Sequence, residues 1–371
     1  MNSVKAEQNI NYSLRLNKVN DILKNSKLEG LLVTNLKNIR YLTGFSGSAG
    51  MLAIRKDTPK TLLVTDGRYA IQSKLETGHS KVSLKIGKPK AQLNYLKQFF
   101  NEVKRVGIEK EVVTLEIFER LKTVLVPTKI EPIFSPVNLA RIVKDDFEIK
   151  AIATAASFAD KAFEAIKELI KPGISEKDLA VELDYQMKKA GAFSPSFDTI
   201  VASGVNSALP HAKPSEKKLK AGEPVVFDFG AVCDGYCSDM TRTVLVPGKS
   251  ASEELVDIYK TVLEAQLCGL KAIKPGIASF KVDKASREVI AKKGWAKFFN
   301  HSTGHGVGLD IHEPPWIAAR INTLLEHNMT ITVEPGVYIE GLGGVRIEDT
   351  VVVTEGNCEI LTTTKKDFEL W

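Results

Sequence analysis

Cysteine, long apolar runs and clustered aromatics are all scarce in this chain, and each scarcity removes a class of explanation. The four cysteines, Cys233, Cys237, Cys268 and Cys358, lie in the second half of the 371 residues without CxxC spacing. That excludes a disulfide scaffold and suits reduced thiols in a reducing compartment. No segment approaches the roughly twenty apolar residues needed to span a bilayer. The N-terminal stretch from Met1 to Leu23 mixes Asn, Lys, Glu and Ser and builds no apolar signal core. A cytoplasmic protein without a membrane partner is expected. Aromatics form 7% of the chain and do not interleave with its basic residues, so nucleic acid is not an expected partner.

What is present points elsewhere. Hydrophobic residues make up 43% and charged residues 26%, the profile of a globular protein with ample core. The net charge of +6 is uneven, because residues 1–142 hold 24 Lys and Arg against 12 Asp and Glu. This excess is read as a solvated, Lys-rich surface. The first part alternates helical and strand-like patterns: a helix near Leu14–Lys24, then apolar segments at Gly30–Thr34, Met51–Ile54, Thr61–Val64 and Val106–Ile108. That pattern predicts an α/β domain over residues 11–142. The charged stretch Lys144-Asp-Asp-Phe-Glu then opens a long helical pattern, which places a second domain at 143–371.

The second part repeats itself. Two Lys-Pro-Gly-Ile corners begin at Lys171 and Lys274, each after a helix-like segment and each before an amphipathic helix that ends in Lys-Lys and then Gly191 or Gly294. Acidic hairpins follow both. In the first, Asp234-Gly235 is a two-residue turn signal that sets Asp228 opposite Thr241 and Asp239 opposite Gly230. Both aspartates then project from one face. Carboxylates this close need a cation between them. The second hairpin offers Glu334 and Glu348 around a longer glycine-rich turn whose register is open. Between the hairpins, His301, His305 and His312 fall within twelve residues, and imidazole suits divalent transition metals. His211 precedes the first hairpin. His79 and His327 lack such context.

These motifs closely resemble the pita-bread metallopeptidases: Phe197-Asp-Thr-Ile-Val-Ala-Ser-Gly, Pro210-His211, Phe227-Asp-Phe-Gly, Gly235-Tyr-Cys-Ser-Asp-Met-Thr-Arg-Thr, His305-Gly-Val-Gly-Leu, Val333-Glu-Pro-Gly and Val345-Arg-Ile-Glu-Asp. Upstream, Asn38-Ile-Arg-Tyr-Leu-Thr-Gly-Phe-Ser-Gly-Ser-Ala-Gly and Thr65-Asp-Gly-Arg-Tyr resemble the creatinase-type N-terminal domain. The resemblance implies an α/β N-terminal domain followed by an α+β pita-bread catalytic domain with an internal pseudo-twofold repeat. It implies Asp228, Asp239, His305, Glu334 and Glu348 as ligands of two divalent ions, Mn²⁺ first, with Co²⁺, Fe²⁺ or Zn²⁺ also compatible with the donors. By the same resemblance Glu334, His211 and His312 are catalytic, His301 lies near a proline pocket, and Arg346 orients the site. The implied activity is an Xaa-Pro aminopeptidase acting on peptides with proline second, with prolidase as the alternative and a homodimer as the assembly. A non-catalytic binding module of the same fold is the rival from another class. Ser302, Val205-Asn206 and Phe227 depart from common family residues and touch no implied ligand.

Overall fold

The computed structural model describes residues 10–24, 26–56, 58 and 60–369. The chain divides between Arg141 and Ile142 into two compact units.

The N-terminal unit is a six-stranded mixed sheet. Its strands are β1 (Gly30–Val33), β2 (Met51–Arg55), β3 (Thr61–Thr65), β4 (Ser83–Ile86), β5 (Arg105–Glu109) and β6 (Lys129–Ile133), in the order β4-β3-β2-β1-β5-β6. Helices Tyr12–Lys24, Leu36–Thr43, Pro89–Phe99 and Leu115–Val124 accompany it. Every residue of β1 and β3 is buried, which is why they read as unbroken apolar runs. The edge strand β4 exposes Ser83 and Lys85 in alternation.

The second unit is built twice. Its first half holds α1 (Asp146–Ile166), α2 (Glu176–Ala190), β7 (Ile200–Ser203), β8 (Pro224–Phe229), β9 (Val232–Cys233), β10 (Tyr236–Cys237) and β11 (Met240–Leu245). Its second half holds α3 (Glu253–Ala272), α4 (Ser279–Lys292), β12 (Gly304–Gly306), β13 (Glu313–Ile317), β14 (Thr330–Val333), β15 (Gly336–Ile339), β16 (Gly343–Arg346), β17 (Asp349–Val353) and β18 (Cys358–Ile360). The order β7-β8-β11 is matched by β12-β14-β17, antiparallel throughout. A capping box between Asp145 and Glu148 starts α1, so the acidic signal in the sequence is a helix N-terminus. Both Lys-Pro-Gly corners place glycine at positive φ, Gly173 at 98° and Gly276 at 79°. Their N–H groups donate to Leu219 and Leu325 carbonyls, and those leucines donate back to Ile174 and Ile277. The repeat therefore extends to individual hydrogen bonds.

Strand alternation assigns each residue a face. Phe227 and Phe229 of β8 flank Phe163 of α1, with ring centroids 5.4 and 5.6 Å away, and Asp228 between them points to the opposite face. In β14, Ile331 and Val333 join the core with Leu270 and Val282. Thr332 and Glu334 take the other side. Apolar burial of about 1.5–3 kcal/mol per large side chain thus holds both carboxylate-bearing strands in place.

Candidate metal centre

The first hairpin has the register its turn implies. Asp234 and Gly235 carry φ of 49° and 81°, the two positive values of a type I′ turn. Asp228 pairs with Thr241, and the flanking pairs Phe229–Met240 and Val232–Cys237 leave Gly230 opposite Asp239. In the second hairpin Val333 pairs with Asp349 and Gly336 with Arg346, so Glu334 and Glu348 fall opposite each other. Glu348 therefore occupies the place that Thr241 holds in the first hairpin. Arg346 occupies that of Asp239.

All nine candidate residues line one cavity of about 470 Å³: Asp228, Asp239, His305, Glu334, Glu348, His211, His301, His312 and Arg346. Ligand-type atoms of Asp228, Asp239 and Glu348 lie within 4.8 Å of one another, as do those of His305, Glu334 and Glu348, and those of Asp239, His305 and His312. His79 and His327 do not line this cavity.

Three observations test whether divalent cations fit here. Asp228 Oδ1 and Glu348 Oε1 are buried and have no hydrogen-bond partner, a costly arrangement without a positive charge. The Nδ1 of His305 lies 3.1 Å from the Gly306 carbonyl, so Nδ1–H donates there and Nε2 carries the lone pair. That Nε2 lies 3.4 Å from Glu334 Oε1 and 3.6 Å from Asp239 Oδ2. Burial, with His312 beside it, lowers His305 to about 3, so the ring is neutral and its Nε2 lone pair faces the two carboxyl groups. Finally, burial and then neighbouring carboxylates push Asp239 and Glu348 well up, and burial pushes Glu334 up to about 8. Four carboxylates and one imidazole around one such space are a hard, oxygen-rich donor set for divalent metals.

The wall is organised around Arg346. Its guanidinium donates to Asp228 Oδ2 at 2.5 Å, Thr241 Oγ1 at 3.1 Å, the Tyr338 hydroxyl at 2.8 Å and the Pro210 carbonyl at 3.3 Å. Thr241 donates in turn to Glu348 Oε2 at 2.7 Å. Tyr338, raised to about 12 by burial, keeps its proton and lies 2.9 Å from His301 Nε2. The other nitrogen of His301 is 2.7 Å from the Ser302 carbonyl. Burial, with Arg346 next, lowers His301 to about 4. His301 is thus neutral, donates through Nδ1, accepts through Nε2, and offers the cavity ring surface rather than a proton. His312 sits edge-on to His305, 4.4 Å between centroids.

Sequence reasoning gave no role to Tyr338, Thr241 or Trp316. Tyr338 lies eight residues before Arg346, on the partner strand of the same hairpin, a relation visible once the register is known. Thr241 had a signal in its position opposite Asp228. Trp316, on β13, lines the cavity 6.2 Å from the His305 ring. Cys233 is raised to about 11 by burial and by Asp234, so it is a thiol.

The sequence also matches known families over both units. Residues 150–355 match the model of metallopeptidase family M24, and residues 15–143 match the creatinase/prolidase N-terminal domain. The chain belongs to metallopeptidase family M24. It is 40% identical to an uncharacterized peptidase of Bacillus subtilis, over 96% of this chain and 99% of that one. A solved structure of an Xaa-Pro dipeptidase from Bacillus anthracis superposes with a TM-score of 0.91 at 39% identity, covering 97% of this chain and 100% of that chain. The X-Pro aminopeptidase from Thermotoga maritima gives a TM-score of 0.85 at 39% identity, covering 92% and 98%. The M24 assignment makes the chain a metallo-exopeptidase with a pita-bread catalytic domain and implies a divalent metal at the carboxylate cluster. No described helix is long and apolar enough to cross a membrane.

Proposed function

We propose that this M24 peptidase removes the N-terminal residue from peptides whose second residue is proline. Asp228, Asp239, His305, Glu334 and Glu348 would hold two divalent ions, Mn²⁺ first. Such ions, when bound, lower the pKa of water and polarise a carbonyl. The remaining chemistry belongs to the chain. Glu334, whose Oε1 lies 3.4 Å from His305 Nε2, would take a proton as general base. His312, lowered mainly by burial, is neutral near pH 7 and can donate to a developing oxyanion or pass a proton to the leaving nitrogen. His211, exposed on the same cavity, is a second donor. His301, both nitrogens engaged, packs against the proline ring, and Arg346 orients Asp228.

One observation favours the aminopeptidase reading over a strict dipeptidase. An enzyme confined to dipeptides needs a group that grips the C-terminal carboxylate. The lysines and arginines lining this cavity are Lys213, exposed, and Arg346, whose guanidinium is engaged by Asp228, Thr241, Tyr338 and Pro210. Prolidase remains the second reading because the Bacillus anthracis relative is named an Xaa-Pro dipeptidase. Chromatographic assay of Xaa-Pro dipeptides beside Xaa-Pro-Xaa peptides separates the two; no cleavage of the longer substrates would sink the first. A cytoplasmic homodimer completes the proposal, and light scattering of the purified protein tests its assembly.

A further inference from the structure

Glu176, the first residue of α2, is 0% exposed. Its Oε1 accepts from Ser203 N at 2.7 Å, Ser203 Oγ at 2.8 Å and Asn206 Nδ2 at 3.1 Å. Its Oε2 accepts from Ser215 N at 3.1 Å, Ser215 Oγ at 2.6 Å and Asn206 Nδ2 at 3.2 Å. Every one of these donors belongs to a single segment, residues 203–215. One carboxylate therefore grips both feet of a loop. Between the feet, the chain passes through the turn Gly204–Ala208 to Pro210 and His211 on the cavity wall. The loop's middle is tied to the β15–β16 hairpin, since Gly344 N donates to Ser207 Oγ at 2.7 Å and Arg346 donates to Pro210 O.

The repeat supplies a control. The equivalent position in the second half is Ser279, the first residue of α4, where backbone bonds Ser279 N to Thr323 O and Glu176 N to Lys217 O correspond. Ser279 makes one side-chain bond, to Ile321 O at 2.9 Å. That bond holds the far foot of the corresponding loop, residues 307–321, which carries His312 and lines the cavity and whose strand β13 pairs with β12. In the second copy strand pairing holds the loop, whereas in the first the six donor contacts to Glu176 do so.

We propose that Glu176 is a positioning residue for His211, stapling both ends of the 203–215 loop so that the imidazole stands in the cavity. This rests on the peptidase reading above. A carboxylate is required because each oxygen receives several donors; a Gln amide would turn a donor toward donors on one side. The test compares Glu176→Gln, His211→Ala and the double variant, all metal-loaded and assayed well below their melting temperatures. Glu176→Gln should lower kcat at least about tenfold with bound metal unchanged. Added to His211→Ala, it should cost less than about twofold, the non-additivity expected of residues acting through one another. Amide hydrogen exchange over 204–214 should be at least about tenfold faster, with α2 and β8 unaffected. Full multiplicative loss in the double variant, or unchanged exchange in the loop, would overturn the proposal. If Glu176→Gln fails to fold, Ser215→Ala loosens one foot, removing the Oγ donor while the backbone N–H bond stays, and should shift exchange and kcat in the same directions by smaller amounts; wild-type behaviour there also overturns it. A loosened loop with His211→Ala fully active would instead overturn the role given to His211.

Discussion

Removing divalent metal and raising the pH should together destabilise this protein in a calculable way. In the metal-free site burial pushes Glu334 up to about 8, with Asp228 adding to the effect and Arg346 opposing it. Asp239 and Glu348 move in the same direction, again by burial first and by neighbouring carboxylates second. A carboxyl whose folded pKa exceeds its unfolded one binds an extra proton in the folded state. Its stabilisation is complete below the unfolded value and is lost as pH rises through the folded value. For Glu334 that window runs from 4.5 to about 8. Inside it each pH unit costs about 1.4 kcal/mol per proton, so pH 5.5 to 7.5 removes about 3 kcal/mol. For a unit of this size that corresponds to a fall of about 6–12 °C in melting temperature, and Asp239 and Glu348 add to it. Cations displace these protons, so the metal-loaded protein should not share the decline. Scanning calorimetry at pH 5.5, 6.5 and 7.5, with EDTA or with excess MnCl₂, reads the difference. Glu334→Gln should remove the share due to Glu334 and make the EDTA series shallower. Titration calorimetry with MnCl₂ at pH 7 in two buffers of different ionisation enthalpy should show at least about one proton released. An EDTA series that is flat or rises with pH, or no proton release, would refute the reasoning.

Three further outcomes are expected. Asp239→Ala, which removes a carboxylate shared by two of the ligand clusters, should lower bound metal by elemental analysis and cut peptidase activity at least about a thousandfold; undiminished activity would refute the ligand assignment. Phe163→Ala should cost about 3–5 kcal/mol by denaturant unfolding, because that ring packs against both Phe227 and Phe229. Arg242→Met should cost about 3 kcal/mol, because it removes one of two cationic partners of Asp349, which is 0% exposed and 2.8 Å from the guanidinium; Lys366, Gln266 and Thr362 still reach that carboxylate and limit the loss.

Much of this site was legible in the sequence because local chemistry determined it. Asp234-Gly235 selects one turn type, and that turn sets the register of Asp228 and Asp239 without reference to the rest of the fold. The repeated Lys-Pro-Gly corners announced two equivalent halves because a positive φ after a proline leaves few residues able to serve. The second hairpin was open for the same kind of reason: Ile339 pairs with Gly343 across three residues, a turn length without one preferred register. Contacts between elements distant in sequence were not legible. Tyr338 and Arg346 meet His301 and Asp228 only after β8 and β16 lie side by side. Glu176 gave no signal at all, since an acid in the first turn of a helix is ordinary there. Only the tertiary fold closes the 203–215 loop over it.

The registers also explain how a duplicated scaffold yields an unequal site. Asp228 corresponds to Glu334, Thr241 to Glu348, and Asp239 to Arg346. A strictly repeated set of three acids would put six negative charges in one cavity, more than two dications can neutralise. In this chain two of the six positions carry other chemistry. Thr241 supplies a hydroxyl that donates to Glu348, and Arg346 supplies a cation that holds Asp228. Each departure from symmetry therefore acts on an acid contributed by the opposite half. Four acids remain, and with Arg346 their formal charge, counted with every acid ionised, falls to three negatives. Exchanging Thr241 for Glu, which restores the missing symmetry, should accordingly make the metal-free protein less stable at neutral pH, because a fifth acid would have to be protonated or repelled.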